Sequence, residues 1–437
     1  MGAMSSLWQQ DTSLPELPRL SGTVKTDVLV IGGGLAGLLT AWSLREKGID
    51  VLVAEQNRIC GRTTAHTTAK ITAQHGLIYH RLLGTFGPEA AAGYHRANAD
   101  AVLRLKELCR RAGCPLEEKP NYVYSSDRRK LGMELSALQK LGIPAVFEES
   151  PPLPLKGIGA VGFPDQAQLH PLKLAAFLAR NLQIFERTRV TELVGTTAVT
   201  EQGHIQARKI IVATHFPFLN KHGSYFLKLY QHRSYLLALE NAGELGGMYV
   251  DDDKNGLSFS SFGGHLLLGG GGHRTGKQGG GWAELRDFAA VHYPQGRQVL
   301  HWAAQDTMSL DGIPYIGHYS RRTPDLYVAA GFNKWGMTGS MAAAQLLTSE
   351  LLGTPEDYAP IFSPSRSILR PQLLLNCGET ALNFLFPTTK RCPHLGCALK
   401  YNAAEHSWDC PCHGSRFSES GEVLNNPANA DCKRLQK

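Results

Sequence analysis

The sequence predicts an α/β protein with a wound parallel sheet, followed by a small module rich in cysteine and histidine. Two stretches carry that prediction. "TDVLVIGGGLAGLLTAWSLREKGIDVLVAEQ" (26–56) reads as strand, tight turn, helix and strand, and "RCPHLGC" (391–397) with "DCPCHGSRF" (409–417) crowds Cys and His near the C-terminus. The 437 residues are enough for two or three domains and a large core.

At 43% hydrophobic and 19% charged, the chain has the composition of a soluble globular protein. A formal charge of +7 is modest for this length, no run of five Lys/Arg occurs, and no nucleic-acid partner is expected. No eighteen-residue apolar stretch occurs, so no integral membrane segment is expected. The first residues lack a basic region leading into an apolar one, so no secretory signal is expected either. Cys60, Cys109, Cys114 and Cys377 are scattered, whereas the other five of nine cysteines crowd the last tenth. A disulfide-stapled protein spreads its pairs; this pattern predicts a cytoplasmic chain with one local metal site.

In the first stretch "DVLVIG" has the length of a buried strand, and the helix after it closes at Gly48. Between them lies G-x-G-x-x-G as Gly32, Gly34 and Gly37. Gly32 permits the turn, Gly34 lets a pyrophosphate approach the backbone, and Gly37 lets helix and strand pack closely. Glu55 ends the second strand where an acid can bind a ribose hydroxyl pair, which argues against a 2′-phosphate.

Three later pieces specify the dinucleotide. "CGRTTAHTTAKITAQHG" (60–76) suits a loop lying along a cofactor, and "KIIVATHFPF" (209–218) is a strand breaking into a turn. "DGIPYIGHYSRRTPDLYVAAGFNKWGMTGSMAAAQLLTSELLG" (311–353) ends in strand, glycine turn and helix. Together they resemble the FAD-dependent D-amino-acid oxidase-like family, which includes sarcosine, dimethylglycine and glycine oxidases. The resemblance implies a Rossmann-type FAD-binding domain over 24–355, built from segments near 24–80, 155–230 and 305–355. An antiparallel substrate domain is expected from about 81–155 and 231–304. It further implies FAD contacts at Gly32, Gly34, Leu35, Ala36, Gly37, Glu55 and Gln56, and in the loop at Gly61, Arg62, Thr63, Thr64, His66, Ala69 and Lys70. Val190 and Thr214 follow, then Gly331, Trp335, Gly336, Met337 and Thr338 against the flavin ring. "TTAH" is similar to the "TTWH" of relatives whose histidine carries a covalent flavin, but the Trp is missing. His66 is therefore expected to hydrogen-bond beside a noncovalent FAD. The glycine-rich run at 266–281 lacks a βαβ pattern and is expected to be a strand-end loop over the substrate.

Cys392-Pro-His394 and Cys410-Pro-Cys412-His413 offer a Cys₂His₂ set that zinc could use, yet zinc needs neither Cys397 nor Cys412. The arrangement closely resembles the Rieske [2Fe-2S] motif, C-x-H-x-G-C then C-P-C-H-G-S. That resemblance implies Cys392 and Cys410 on one iron, His394 and His413 on the other, and a Cys397–Cys412 disulfide joining the loops. Ser415 can donate to a cluster sulfur, whereas Phe417 stands where high-potential members have Tyr. A linker at 356–372 and an all-β cluster module over 373–437 are expected, with a trimmed base and with each module holding its cofactor independently.

The implied enzyme is an FAD-dependent oxidoreductase acting on a C–N bond of a small amine or amino acid. Its electrons pass through the cluster to a one-electron acceptor protein or another external acceptor. His75, Lys334 and Tyr230 are candidates to line the substrate pocket, each with a structural alternative. A Rieske oxygenase needs a further two-His, one-carboxylate site, for which the residues after His413 are too few. A non-enzymatic flavin and iron–sulfur relay or redox sensor stays open as the alternative.

Overall fold

A computed structural model describes residues 3–219 and 222–435. Its principal elements are β1 (Gly22–Ile31), α1 (Leu35–Glu46), β2 (Val51–Ala54), β3 (Gly203–Val212) and β4 (Leu229–Glu240). There follow β5 (His265–Arg274), β6 (Arg297–Ser309), β7 (Leu326–Ala330), α2 (Gly336–Leu351) and α3 (Pro371–Leu385). The last four residues of β1 are all buried, as a strand covered on both faces requires. It runs parallel to β2 on one side and β3 on the other, and β3 is parallel to β7. The carboxyl ends of these strands face the N-termini of α1 and α2, which is where such sheets bind ligands.

A second sheet of nine strands includes β6, β4 and β5 side by side, all antiparallel. It is parallel only where Ala3–Met4 joins β6 and where Met248–Asp251 joins Asn121–Ser125. Two expectations are corrected here. Gly159–Phe163 lies in this sheet, paired with Asn121–Ser125, although 155 onward was expected in the other domain. The glycine-rich run is largely the central strand β5: a Cβ at Gly269 would stand 2.6 Å from Ser258 Oγ, so the small residues let neighbouring strands close up.

The C-terminal module departs further from expectation. It is not all-β, because α3 precedes a four-stranded antiparallel sheet of Lys400–Asn402, Ser407–Asp409, Arg416–Ser418 and Val423–Asn425. Nor is the preceding segment a free linker. Ile361 and Phe362 are buried, and Arg366 binds both oxygens of Asp311 at 2.8 Å, both side chains being buried.

Docking of the module on β4 turns on one carboxylate. Arg233 of β4 donates through Nε and Nη2 to Glu405, and Arg416 reaches the same carboxylate at 2.9 Å while binding Asp409 at 3.0 Å. Tyr235 adds its hydroxyl at 3.1 Å. Two arginines and two acids make the group neutral, and all four side chains are at most 10% exposed. Burial alone would raise the Glu405 pKa; Arg233 and Arg416 outweigh it and hold it at about 2. Around this centre Gln305 donates to the Gly414 carbonyl and Gln231 to that of Asn426. At Gly414, of φ +82°, a Cβ would lie 2.4 Å from Gln231, so only glycine allows this approach.

Glu405→Gln leaves two buried guanidinium groups undercompensated, and the module should loosen at a cost of about 3 kcal/mol. The carboxylate titrates lower in the folded protein than its unfolded value of about 4.3. Its contribution is therefore complete above about pH 5 and lost as pH falls toward about 2. Hydrogen exchange over 400–425 should rise in Glu405→Gln at neutral pH and in the parent only in acid; unchanged exchange in the variant would contradict this.

Candidate functional site

The turn after β1 opens on a cavity lined by Gly32, Gly34, Leu35 and Ala36, with Glu55 and Gln56 at the end of β2. The N–H groups of the first turn of α1 have no partner within the helix, and no acidic side chain occupies that turn. A Cβ on Gly34 would find only Thr64 Oγ1, at 3.8 Å, so the space beside it belongs to the cavity. Gly37 acts differently: its Cβ would lie 1.9 Å from the Gly32 carbonyl, so it holds helix against strand and does not line the cavity. The Glu55 carboxylate accepts from Gly33 N at 2.7 Å and Asn57 N at 2.8 Å, which fixes it at the cavity rim.

Gly61, Arg62, Thr63 and Thr64 line the same space, as do Val190, Thr214, Gly336 and Met337. Besides Gly37, three expected contacts line neither this cavity nor the larger one beside it. Ala69 is buried in the core at φ +58°, and Gly331 packs against Leu229 and Ser309. Thr338 spends its hydroxyl on Thr72 N at 2.9 Å, tying α2 to the loop. Among residues that sequence reading passed over, His215 lines the cavity with its buried Nε2 unpartnered. Asn425, Asn426 and Asn429 of the C-terminal module also line it. Arg62 donates to the Leu424 carbonyl and Arg189 to that of Asn429, while Asn426 donates to the carbonyls of Thr214 and Phe216 at 2.8 and 2.9 Å. The module is thus part of the cavity wall, and the expectation of independent cofactor sites is corrected.

A second cavity of about 700 Å³ meets the first at Thr63, Thr67, Asp306 and Lys334. His66, Lys70, His75, Tyr230 and Trp335 line it. His75 has no nitrogen left for a substrate. Its Nε2 donates to the Thr72 carbonyl at 2.8 Å, so Nδ1 accepts from the Tyr94 hydroxyl at 2.7 Å. Burial pushes its pKa down to about 3, and the neutral ring stacks on Trp335 at 5.1 Å, positioning that indole. Tyr230 lies under the Arg274 guanidinium at 4.9 Å. Lys334, held at φ +72°, donates to the Lys254 carbonyl at 2.6 Å. Burial brings its pKa down to about 8 against the opposing pull of Asp306, whose own pKa burial raises. Asp306 is a lone acid in the strand β6, which was the available signal for it.

The two Cys/His loops are the same turn twice. Cys392 N donates to the Cys397 carbonyl and Gly396 N to that of Cys392; Cys410 N donates to the Ser415 carbonyl and Gly414 N to that of Cys410. This repetition brings the rings of His394 and His413 to 5.1 Å and sets the Cys392 and Cys410 thiols in hydrogen-bond contact. His413 Nδ1 is buried with no hydrogen-bond partner, as a metal-ligating nitrogen would be before its metal is counted. The Cys397, Cys410 and Cys412 sulfurs lie within 4.8 Å of one another, and neither Cys397 nor Cys412 is in a disulfide, so the expected Cys397–Cys412 bridge is not formed here. Ser415 Oγ accepts from Ala428 N at 3.0 Å, leaving its hydrogen for the Cys392 sulfur. Phe216 packs edge-on against both histidine rings at 6.4 Å. Both donor sets fit their groups: a phosphate cradle with an open glycine for a dinucleotide, and paired thiols and imidazoles for a two-iron cluster.

Residues 27–350 match the family described as FAD dependent oxidoreductase, and residues 380–436 match the Rieske [2Fe-2S] domain. The Rieske 2Fe-2S iron-sulfur protein YhfW of Bacillus subtilis (strain 168) is 34% identical over 507 aligned positions, covering 99% of this chain and 98% of that protein. Glycine oxidase from Geobacillus kaustophilus has a similar structure, with TM-score 0.65 and 20% identity over 79% of this chain and 99% of its own. L-proline dehydrogenase from P. horikoshii gives 0.66 and 18%, over 80% and 98%. These two show the fold.

Two substitutions separate the cavity's parts. Gly34→Val should fold and retain no FAD after desalting, because its side chain fills the phosphate space. Asn426→Ala should release FAD faster while keeping its iron. Full flavin content in folded Gly34→Val would refute the phosphate position.

Proposed function

The chain belongs to the FAD dependent oxidoreductase family and carries a Rieske [2Fe-2S] domain, and from that premise we propose that it oxidises the C–N bond of a small amino acid or amine and relays electrons through the cluster to an external one-electron acceptor. FAD, when bound, takes up a hydride equivalent, and a Rieske cluster carries single electrons. One adjacency in the chain carries the relay reading. His215 lines the dinucleotide cavity, and the next residue, Phe216, packs on both cluster histidines. In this reading Cys392, Cys410, His394 and His413 hold the two irons.

Glycine oxidase and L-proline dehydrogenase, both similar in fold, are named for amino acids, which supports an amino-acid substrate here. So does the charge in the larger cavity. Arg81 lines it, exposed, with no hydrogen bond or ion pair among the described residues. Its planar fork suits a substrate carboxylate. Lys334 stands where the two cavities meet, poised near 8 and anchored to the Lys254 carbonyl. It is placed to take the proton of a substrate ammonium, so that the amine reacts in its neutral form. Trp335, braced by His75, and Tyr230, under Arg274, wall the space and exclude water.

Anaerobic mixing with a panel of amino acids and amines should bleach the flavin with at least one amino acid. Arg81→Met should raise the half-saturating concentration of that amino acid by roughly ten- to a hundredfold. It should leave the response to the matching amine without a carboxylate unchanged. No bleaching by any member of the panel would contradict the substrate class.

A further inference from the structure

Helix α3 is turned inside out. Its polar residues face the protein: Asn376 and Asn383 are buried, Asn376 accepts from Arg274 at 2.8 Å, and Glu379 pairs with Lys277 at 2.7 Å. Positions 376, 379 and 383 form one stripe of the helix. The other side is apolar and bare, with Leu374, Leu375, Leu382 and Leu385 each between 64% and 78% exposed. Leu369, Phe384 and Phe386 continue the exposed surface at both ends. An ordinary surface helix buries this face and exposes the polar one.

The rim of the patch is cationic. From 365 to 400 the segment holds Arg366, Arg370, Lys390, Arg391 and Lys400, of which Arg366 is engaged by Asp311. Its one acid, Glu379, is already paired. Lys400 lies 3.5 Å over the Phe386 ring, and Arg391 donates to the carbonyls of Phe384 and Phe386. The patch also abuts the first Cys/His loop. Arg391 donates to the Gly396 carbonyl, Ala398 N donates to Asn383 O at 3.0 Å, and Leu395 beside His394 is exposed.

We propose that α3 seats the protein on a membrane surface carrying anionic lipid, with its leucine face in the interface. No helix among the described residues is long and apolar enough to cross a membrane, so the contact is peripheral. Apolar side chains on one face with a basic rim are what an interfacial helix requires. A second copy would set cations against cations, with no unpaired acid in the segment to meet them. A protein partner would call for about one hydrogen bond per 100–200 Å², and the outward side chains of α3 offer only the Cys377 thiol. The docked orientation would hold the first cluster loop at the lipid surface, a consequence that rests on the relay reading; the docking itself does not.

The test is flotation of the holoprotein with vesicles of phosphatidylcholine alone or of phosphatidylcholine and phosphatidylglycerol in equal parts. Binding to the mixed vesicles should be strong, weaker in high salt, and reduced at least about tenfold in Leu375→Glu/Leu382→Glu. That variant should keep the parent's flavin and cluster spectra, as its changed side chains contact solvent. A milder Leu375→Ser/Leu382→Ser pair serves if the charged one misfolds. Binding by neither vesicle, equal binding by parent and folded variant, or a parent dimer that the variant abolishes would each overturn the proposal. So would loss of binding to an acidic protein in the variant with no vesicle binding by the parent. Substrate plays no part in the assay, so its outcome is separable from that of the amine panel.

Discussion

A single carboxylate, Glu405, shared between Arg233 of one module and Arg416 of the other, sets where the two cofactor sites stand relative to each other. An ion pair buried this deeply contributes little net attraction, because desolvation consumes most of the Coulomb gain. What it supplies is direction. The forked contact of Arg233 admits one orientation of the carboxylate, and Glu405, Asp409 and Arg416 of the module together carry one net negative charge that only Arg233 neutralises. Any other placement of the module leaves charge buried and unpaired.

From that placement the rest follows. With the 424–429 segment fixed, Arg62 and Arg189 reach its carbonyls and the dinucleotide cavity acquires a wall that the first domain does not provide. Arg274 ties the two chemistries together: its guanidinium covers Tyr230 in the larger cavity and donates to the carbonyls of Pro411 and Cys412 in the second Cys/His loop. A shift of that loop is therefore felt in the larger cavity through one rigid side chain. The chain behaves as one enzyme whose second module is built into the first.

What the sequence made legible was local. The glycine spacing, Glu55 and the two Cys/His loops each lie within a few dozen residues, and each obeys a turn geometry that only certain residues satisfy. Long-range partners left no such mark. Arg233 and Glu405 are 172 residues apart, and neither is unusual in its own neighbourhood. The glycines at 269–272 were readable as a loop because strand interiors rarely tolerate them; close packing of β5 against its neighbours overrides that preference. Helix α3 was missed for a related reason, since its polar stripe serves contacts to Arg274 and Lys277 that no sequence window contains. His75 was readable only as a candidate to line the pocket, and its two hydrogen bonds reveal a brace for Trp335.

In the proposed relay, electrons leave the flavin for the cluster of the same molecule. The most direct measurement is the rate of cluster reduction after anaerobic, single-turnover reduction of the flavin, followed over a wide range of protein concentration. Flavin bleaching should precede loss of cluster absorbance, and the second phase should be first order with a rate independent of concentration. A rate that scales with concentration, or a cluster that stays oxidised beside a reduced flavin, would contradict it.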